Sequence, residues 1–242
     1  MKLPGSLHSD LALGQRELIT AFGSSIPHIL KAGEIPEATG LSGGLLHLRT
    51  GWACQFPDIT SGRRTIVDVY LPGDVIGLNT LLRNQPLKNV LVLTSAMAQV
   101  IPPHRLVELM ANRSIALFVA WLQGQRQRRT YRLLAAVSGL DARGRIASMI
   151  LDFHQRLRRR RLITGLTYSL PLSQAQIGQY LGLTVVHVNR VLQSLRAERI
   201  IELEKNCVTI LDHDRLSSVV ENHGTKSSNT SVSDYSAEAA IN

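Results

Sequence analysis

Two short helical patterns hinged at one glycine constrain this chain more than any other feature. Residues 173–195 read SQAQIGQYLGLTVVHVNRVLQSL. Ser173 precedes the first pattern with Gln176 three residues on, the Ser-x-x-Gln form of the capping box, which satisfies orphan backbone groups at a helix start. Ile177, Tyr180 and Leu181 then share one face at i, i+3, i+4, and Gly182 supplies a residue that takes positive φ where the helix ends. Leu183 suits the corner and Thr184 is a second N-cap. Val188, Val191, Leu192 and Leu195 form the inward stripe of the second helix. Its opposite face carries Val185, Val186, Asn189, Arg190 and Gln193.

That outward face has the chemistry of a DNA-reading helix-turn-helix. Arginine places two donors on guanine O6 and N7, asparagine or glutamine pairs with adenine N6 and N7, and valine packs on a thymine methyl. The expected base contacts are therefore Arg190 first, then Asn189, Val186, Val185 and Gln193. Ser173, Thr184 and His187 lie near helix N-termini, where hydroxyls and free amides meet phosphate oxygens, and are the expected phosphate contacts. An ordinary helical hairpin inside an unrelated core is the plain alternative.

The flanking residues extend the motif. Ile200 to Glu204 and Val208 to Leu211 are β-favouring runs around the polar tip Lys205-Asn206-Cys207, which predicts a wing. Leu166 to Leu170 alternates and adds a third strand before Pro171 stops it. From Asp141 to Leu216 the sequence resembles the C-terminal domain of the Crp/Fnr superfamily of bacterial transcription regulators, with the spelling Leu-Gly-Leu-Thr-x-x-x-Val-x-Arg matched without a gap. The resemblance implies that Arg190 contacts a base and that Ser173 and Thr184 contact phosphate. Many members carry a glutamate where this chain has Val186, and Val185 occupies the neighbouring base-contacting position, so the usual family operator is not implied.

The rest of the chain is consistent with a two-domain regulator. Its 242 residues exceed a typical single domain, and 27 Lys and Arg against 18 Asp and Glu give a net charge of +9, the sign expected of a polyanion binder. Arginines cluster at Arg126, Arg128, Arg129, Arg132, Arg143, Arg145, Arg156 and Arg158 to Arg161. Some of these are expected on phosphate, against the alternative of solvated helix faces. The two cysteines, Cys54 and Cys207, have no metal-ligand or disulfide spacing. No signal peptide or membrane-length apolar run is found, so a cytoplasmic protein without membrane contact is expected.

Residues 25 to 103 show short β-type runs broken by turns, including Gly44 to Arg49, Arg64 to Leu71 and Val90 to Leu93, after an amphipathic segment from Ser9 to Phe22. An antiparallel β-roll is expected. Tyr70 to Gly77 resembles the turn that opens the family's effector-binding segment, which extends the resemblance over residues 20 to 216. The effector ligand is left open. After Gly77 stand Leu78, Asn79 and Thr80 where cyclic-nucleotide binders offer a carboxylate, and Leu87-Lys88 where they offer Arg-Ser, so cyclic AMP is not expected even with Lys88 or Arg83 nearby. Two cysteines are too few for an iron-sulfur cluster, which takes about four. His28, His47 and His104 keep haem open in principle, with surface or hydrogen-bonded histidines the ordinary state. No cofactor is expected. Cys207, at the wing tip, is the candidate redox residue, because an oxidised acid beside phosphate would weaken binding.

Residues 104 to 137 form the longest helical pattern, with a seam through Ile115, Val119, Leu122, Arg126, Arg129, Leu133 and Ala136. The seam predicts pairing with a twin helix, through Ile115, Val119, Leu122, Arg126 and Leu133, or packing on the chain's own roll; the resemblance favours a homodimer. Ser138 to Asp141 would be a hinge, with Asp141 capping the next helix. No His-x-His, Ser/His/Asp, P-loop or paired-acid motif supports an enzyme, cupin-like or other, and a plain ligand-binding roll module would leave residues 173–195 without use.

The expected architecture is α+β: a cyclic-nucleotide-binding-like β-roll with an N-terminal helix over 1–103, a central dimerisation helix over 104–138, a winged helix-turn-helix over 139–221, and a disordered tail over 222–242. The resemblance implies a regulator, mainly an activator, that acts with RNA polymerase on double-stranded DNA carrying an inverted-repeat operator, under an unidentified signal or its own abundance.

Overall fold

Alternating apolar runs of three to six residues become strands, and the periodic runs become helices. The computed structural model describes residues 5–34, 36, 41, 44–57, 65–78 and 89–221. In chain order the elements are α1 (Gly5–Gly23), β1 (His28–Leu30), β2 (Leu45–Thr50), β3 (Ala53–Gln55), β4 (Asp68–Tyr70), β5 (Val75–Ile76), β6 (Val90–Val92), β7 (Ala96–Ile101), α2 (Pro103–Met110), α3 (Arg113–Gly139), α4 (Ala142–Arg159), β8 (Thr167–Ser169), α5 (Gln174–Leu181), α6 (Val185–Ala197), β9 (Ile201–Glu204), β10 (Cys207–Ile210) and α7 (His213–Glu221). Two units result: the described residues of 1–59 and 69–129, and those of 60–68 and 130–232. Asn79, Thr80, Arg83, Leu87, Lys88 and the expected tail 222–242 lie outside the described residues. Among the described residues no helix is long and apolar enough to cross a membrane.

The first unit holds a sheet of order β1-β7-β2-β5 and a second of order β4-β3-β6, with antiparallel pairing. Between them lie Leu30, Leu46, Leu48, Tyr70, Ile76, Val90 and Val92. Leu45 and Ile101 pack in a second cluster with Leu11, Leu18 and Phe22 of α1, Leu106 of α2, and Ile115, Phe118 and Val119 of α3. The turn after β4 is held by Asp74, whose Oδ2 accepts the Leu71 amide at 2.8 Å. Its Oδ1 accepts from Arg129 Nη1 at 2.9 Å. Gln55 Oε1 receives both Tyr70 Oη at 2.7 Å and Arg126 Nη2 at 2.6 Å, with the Arg126 guanidinium 5.6 Å from the Tyr70 ring centroid.

Two expectations need correction here. The helical pattern of 104–137 is two helices, because the Asn112 side chain accepts the Ser114 amide at 2.8 Å and starts α3 anew, while the Ala111 and Asn112 amides close α2 on Glu108 and Leu109 carbonyls. Of the residues expected at a dimer seam, Ile115 and Val119 are buried against their own chain instead. Ile115 and Val119 are 3% and 6% exposed in the apolar cluster, Leu122 packs beside it, and Arg126 is bonded to Gln55. Leu133 lines a cavity of the second unit with Met149 and Leu181. Packing on the chain's own roll is thus what Ile115 and Val119 do, and it removes their apolar surface from water.

In the second unit, Asp141 caps α4 by accepting the Gly144 amide at 2.8 Å. Because α3 runs to Gly139, only Leu140 and Asp141 remain of the expected hinge. Ile146, Ile150, Phe153 and Leu157 of α4 are buried, as are Val188, Leu192 and Leu195 of α6, Val208 and Ile210 of β10 and Leu216 of α7. The three-stranded sheet runs β8-β10-β9. Tyr168 Oη satisfies the Ile150 carbonyl at 2.8 Å, which ties β8 to α4.

Candidate nucleic-acid interface

The α5–α6 corner is built by local chemistry. Ser173 Oγ accepts the Gln176 amide at 3.2 Å and the Ser173 amide donates to Gln176 Oε1 at 2.8 Å, completing the capping box. Gly182 ends α5 at φ +68°. Gly178 sets the crossing, since a Cβ there would stand 2.6 Å from the Leu183 carbonyl oxygen, and that position was not singled out by the sequence pattern. Thr184 Oγ1 accepts the His187 amide at 3.2 Å and lies 3.1 Å from His187 Nδ1.

The buried stripe of α6 leaves the other side free. Val185 and Val186 are 49% and 67% exposed, and Arg190, Gln193 and His187 are exposed. Asn189 is half-buried, because its Nδ2 donates to Gln174 Oε1 at 3.1 Å. The expected base contacts thus share one face, with Ser173, Thr184 and His187 exposed at the helix starts. Behind the face, Arg143 grips Glu198 through two hydrogen bonds of 2.5 and 2.7 Å, Ser194 Oγ adds a bond of 2.8 Å, and Arg215 stands 3.5 Å away. This clasp joins the end of α6 to the starts of α4 and α7.

The clasp has a pH signature. The Arg143 hydrogen bonds, then that of Ser194, lower the Glu198 carboxyl from 4.5 to about 2. A carboxylate depressed on folding contributes stability that is complete above pH 4.5 and lost as pH falls from there toward 2. Urea unfolding of the full chain across that window is expected to give a smaller fall in stability for Glu198→Gln than for the unaltered protein; equal slopes would show that the clasp adds nothing.

The wing is a two-residue hairpin. Lys205 and Asn206 both take positive φ, +43° and +65°, and Cys207 is the first residue of β10, paired with Glu204, so it stands beside the tip and not in it. Cys207 is exposed, whereas Cys54 is buried and its thiol is pushed up to about 12 by desolvation. His28 and His104 are exposed, and the ring of His47 lies 5.1 Å from that of Phe22. Among the described residues no group of three His, Cys, Asp or Glu could hold a metal ion.

The arginine cluster is less of a phosphate patch than its spelling suggests. Arg126 and Arg129 are engaged in the first unit, Arg143 on Glu198, Arg145 on the Leu140 and Leu181 carbonyls, and Arg156 on Asp152. Arg128, Arg132, Arg158 and Arg161 remain exposed.

Residues 144–219 match the family model of the Crp-like helix-turn-helix domain. Over those residues the chain carries a Crp-like helix-turn-helix domain, and it is similar to regulators of the Crp/Fnr type. It is 27% identical over 165 residues to the transcriptional regulatory protein btr of Bordetella pertussis, a match covering 63% of each chain. It is 27% identical over 172 residues to the transcriptional activator protein anr of Pseudomonas aeruginosa, covering 70% of each. Among solved structures it is similar to FixK2 from Bradyrhizobium japonicum, with TM-score 0.67 and 21% identity over 81% of this chain and 96% of that one. Like that fold, the chain combines an N-terminal antiparallel sheet unit with a C-terminal winged helix-turn-helix. Two contacts that the sequence pattern did not single out are the bond of Gln174 to Asn189 and the Arg143–Glu198 clasp behind the face, whose partners are 55 residues apart and carry no local signal.

Proposed function

We propose that this Crp/Fnr protein is a homodimeric, sequence-specific transcription regulator that reads an inverted repeat with α6. The exposed face of Val185, Val186, Arg190 and Gln193 on a capped 13-residue helix carries the reading. Two such helices about 34 Å apart enter successive major grooves, so the operator mirrors the two-fold axis. Ser173, Thr184 and His187 fix register on phosphate, and Arg190 contributes the strongest base contact. Its place with DNA puts the protein in the cytoplasm, as a regulator and not an enzyme. Activation through RNA polymerase is the main outcome, as the name of the Pseudomonas relative suggests, with repression where sites overlap. Selection of bound sequences from random DNA by the purified full chain tests this. Enrichment of a palindrome is expected; enrichment of asymmetric sites, or none, would refute it.

Dimerisation is assigned to the outer stripe of α3. Ala120, Gly124, Gln127, Tyr131 and Leu134 recur at spacings of four and three, the period of a two-helix seam. Tyr131 and Leu134 are each 61% exposed, and open space surrounds Gly124 where a side chain would begin. A glycine inside a helix costs about 1 kcal/mol relative to alanine, which a closely approaching twin helix offsets. Tyr131→Asp with Leu134→Asp is expected to shift the sedimenting species from dimer to monomer and weaken operator binding. An unchanged sedimentation coefficient would move the seam elsewhere.

A further inference from the structure

Asn189 offers an amide to the base edges, and the structure shows that amide already engaged. Its Nδ2 donates to Oε1 of Gln174, the first residue of α5, at 3.1 Å, and both side chains are half-buried. A primary amide has two N–H donors and one carbonyl acceptor. The bond to Gln174 uses one donor and leaves one donor together with Oδ1. That remainder is what adenine requires in the major groove, where N7 accepts and the N6 amine donates. An untethered asparagine can turn its amide over and exchange donor for acceptor. With Gln174 holding Oε1 towards Asn189, the turned amide would set two acceptors together with no proton between them, so the tether selects one orientation as long as Gln174 itself is held.

Gln174 is itself well placed to be held. Its Oε1 faces Asn189, its own amide hydrogens remain as donors, and Ser173, the preceding residue, stands at an exposed helix start suited to a phosphate oxygen. Contact with DNA therefore reinforces the orientation that the Asn189 bond needs.

We infer that Gln174 is a specificity-determining positioning residue, which orients Asn189 so that the regulator selects adenine at one position of each half-site. The inference rests on the DNA-reading function proposed above. It is tested with the full chain by selection from random DNA, followed by competition with operators altered at single positions. The variants are Gln174→Leu, Gln174→Glu and Asn189→Ala. The unaltered protein is expected to prefer adenine at one symmetry-related pair of positions, and Asn189→Ala to lose that preference. Gln174→Leu reduces it by roughly fivefold or more while leaving the guanine preference set by Arg190. Gln174→Glu keeps an acceptor for Asn189 and restores the adenine preference, even as its charge lowers affinity for all sequences alike. Base preferences unchanged in Gln174→Leu, an equal loss on every sequence, or no restoration by Gln174→Glu would each overturn the inference. Failure of the unaltered protein to select any sequence overturns the DNA-reading function itself, and an operator selected without dependence on Asn189 overturns only the role of Gln174.

Discussion

Arg190→Ala is expected to lower affinity for the selected operator by about 1 to 3 kcal/mol, roughly five- to 150-fold, and to flatten preference at one base pair of each half-site. The guanidinium is exposed on the face of α6 opposite Val188, Leu192 and Leu195, so its removal leaves the fold intact and takes away only what it does outside. Arginine on guanine contributes two parallel donors to O6 and N7, which no other base offers together. Titration of the variant against operators carrying each base at that position separates the two roles of an arginine. Loss confined to one base marks readout; equal loss on all sequences, with a shallower salt dependence, marks a phosphate contact.

Arg129→Leu destabilises the first unit by about 3 kcal/mol. Asp74 is 3% exposed and Arg129 is 21% exposed on its side chain, so the pair sits where water screens it little. Taking away the guanidinium removes a charge partner from a nearly buried carboxylate, and the neutral Leu71 amide that bonds it does not replace that charge. Combining Arg129→Leu with Asp74→Asn is expected to recover part of the loss, since the amide oxygen can still receive the Leu71 amide. The coupling in that cycle isolates the pair. Urea unfolding supplies the numbers; a single-variant cost near zero would place the pair in effective solvent contact. Operator preference is expected to stay as it was, because the change lies outside α5 and α6.

Features that depend on neighbours three or four residues away were legible in the chain. Ser173 with Gln176, Thr184 with His187 and Asp141 with Gly144 all close within three residues, and each cap forms as its spelling predicts. The wing was legible for the same reason, although its tip is two residues and not three. The face of α3 was not. Ile115, Val119 and Leu122 form one stripe at the helical period and Ala120, Gly124, Gln127 and Leu134 another, and periodicity alone cannot say which meets the chain's own core. The break before α3 rests on a single asparagine cap inside a continuous apolar rhythm. Glu198 and Gln174 escaped notice because their partners are 55 and 15 residues distant, a pairing that only the folded chain brings about.

The internal employment of Arg126, Arg129, Arg143, Arg145 and Arg156 bears on how this protein meets a polyelectrolyte. Each phosphate neutralised on duplex DNA releases condensed counterions and steepens the logarithmic salt dependence by about 0.9. A guanidinium already committed to a carboxylate or carbonyl inside the fold releases none. The salt slope is therefore set by the exposed arginines that reach phosphate rather than by the net charge of +9. A shallower slope leaves a larger share of the binding free energy to contacts that distinguish one base pair from another.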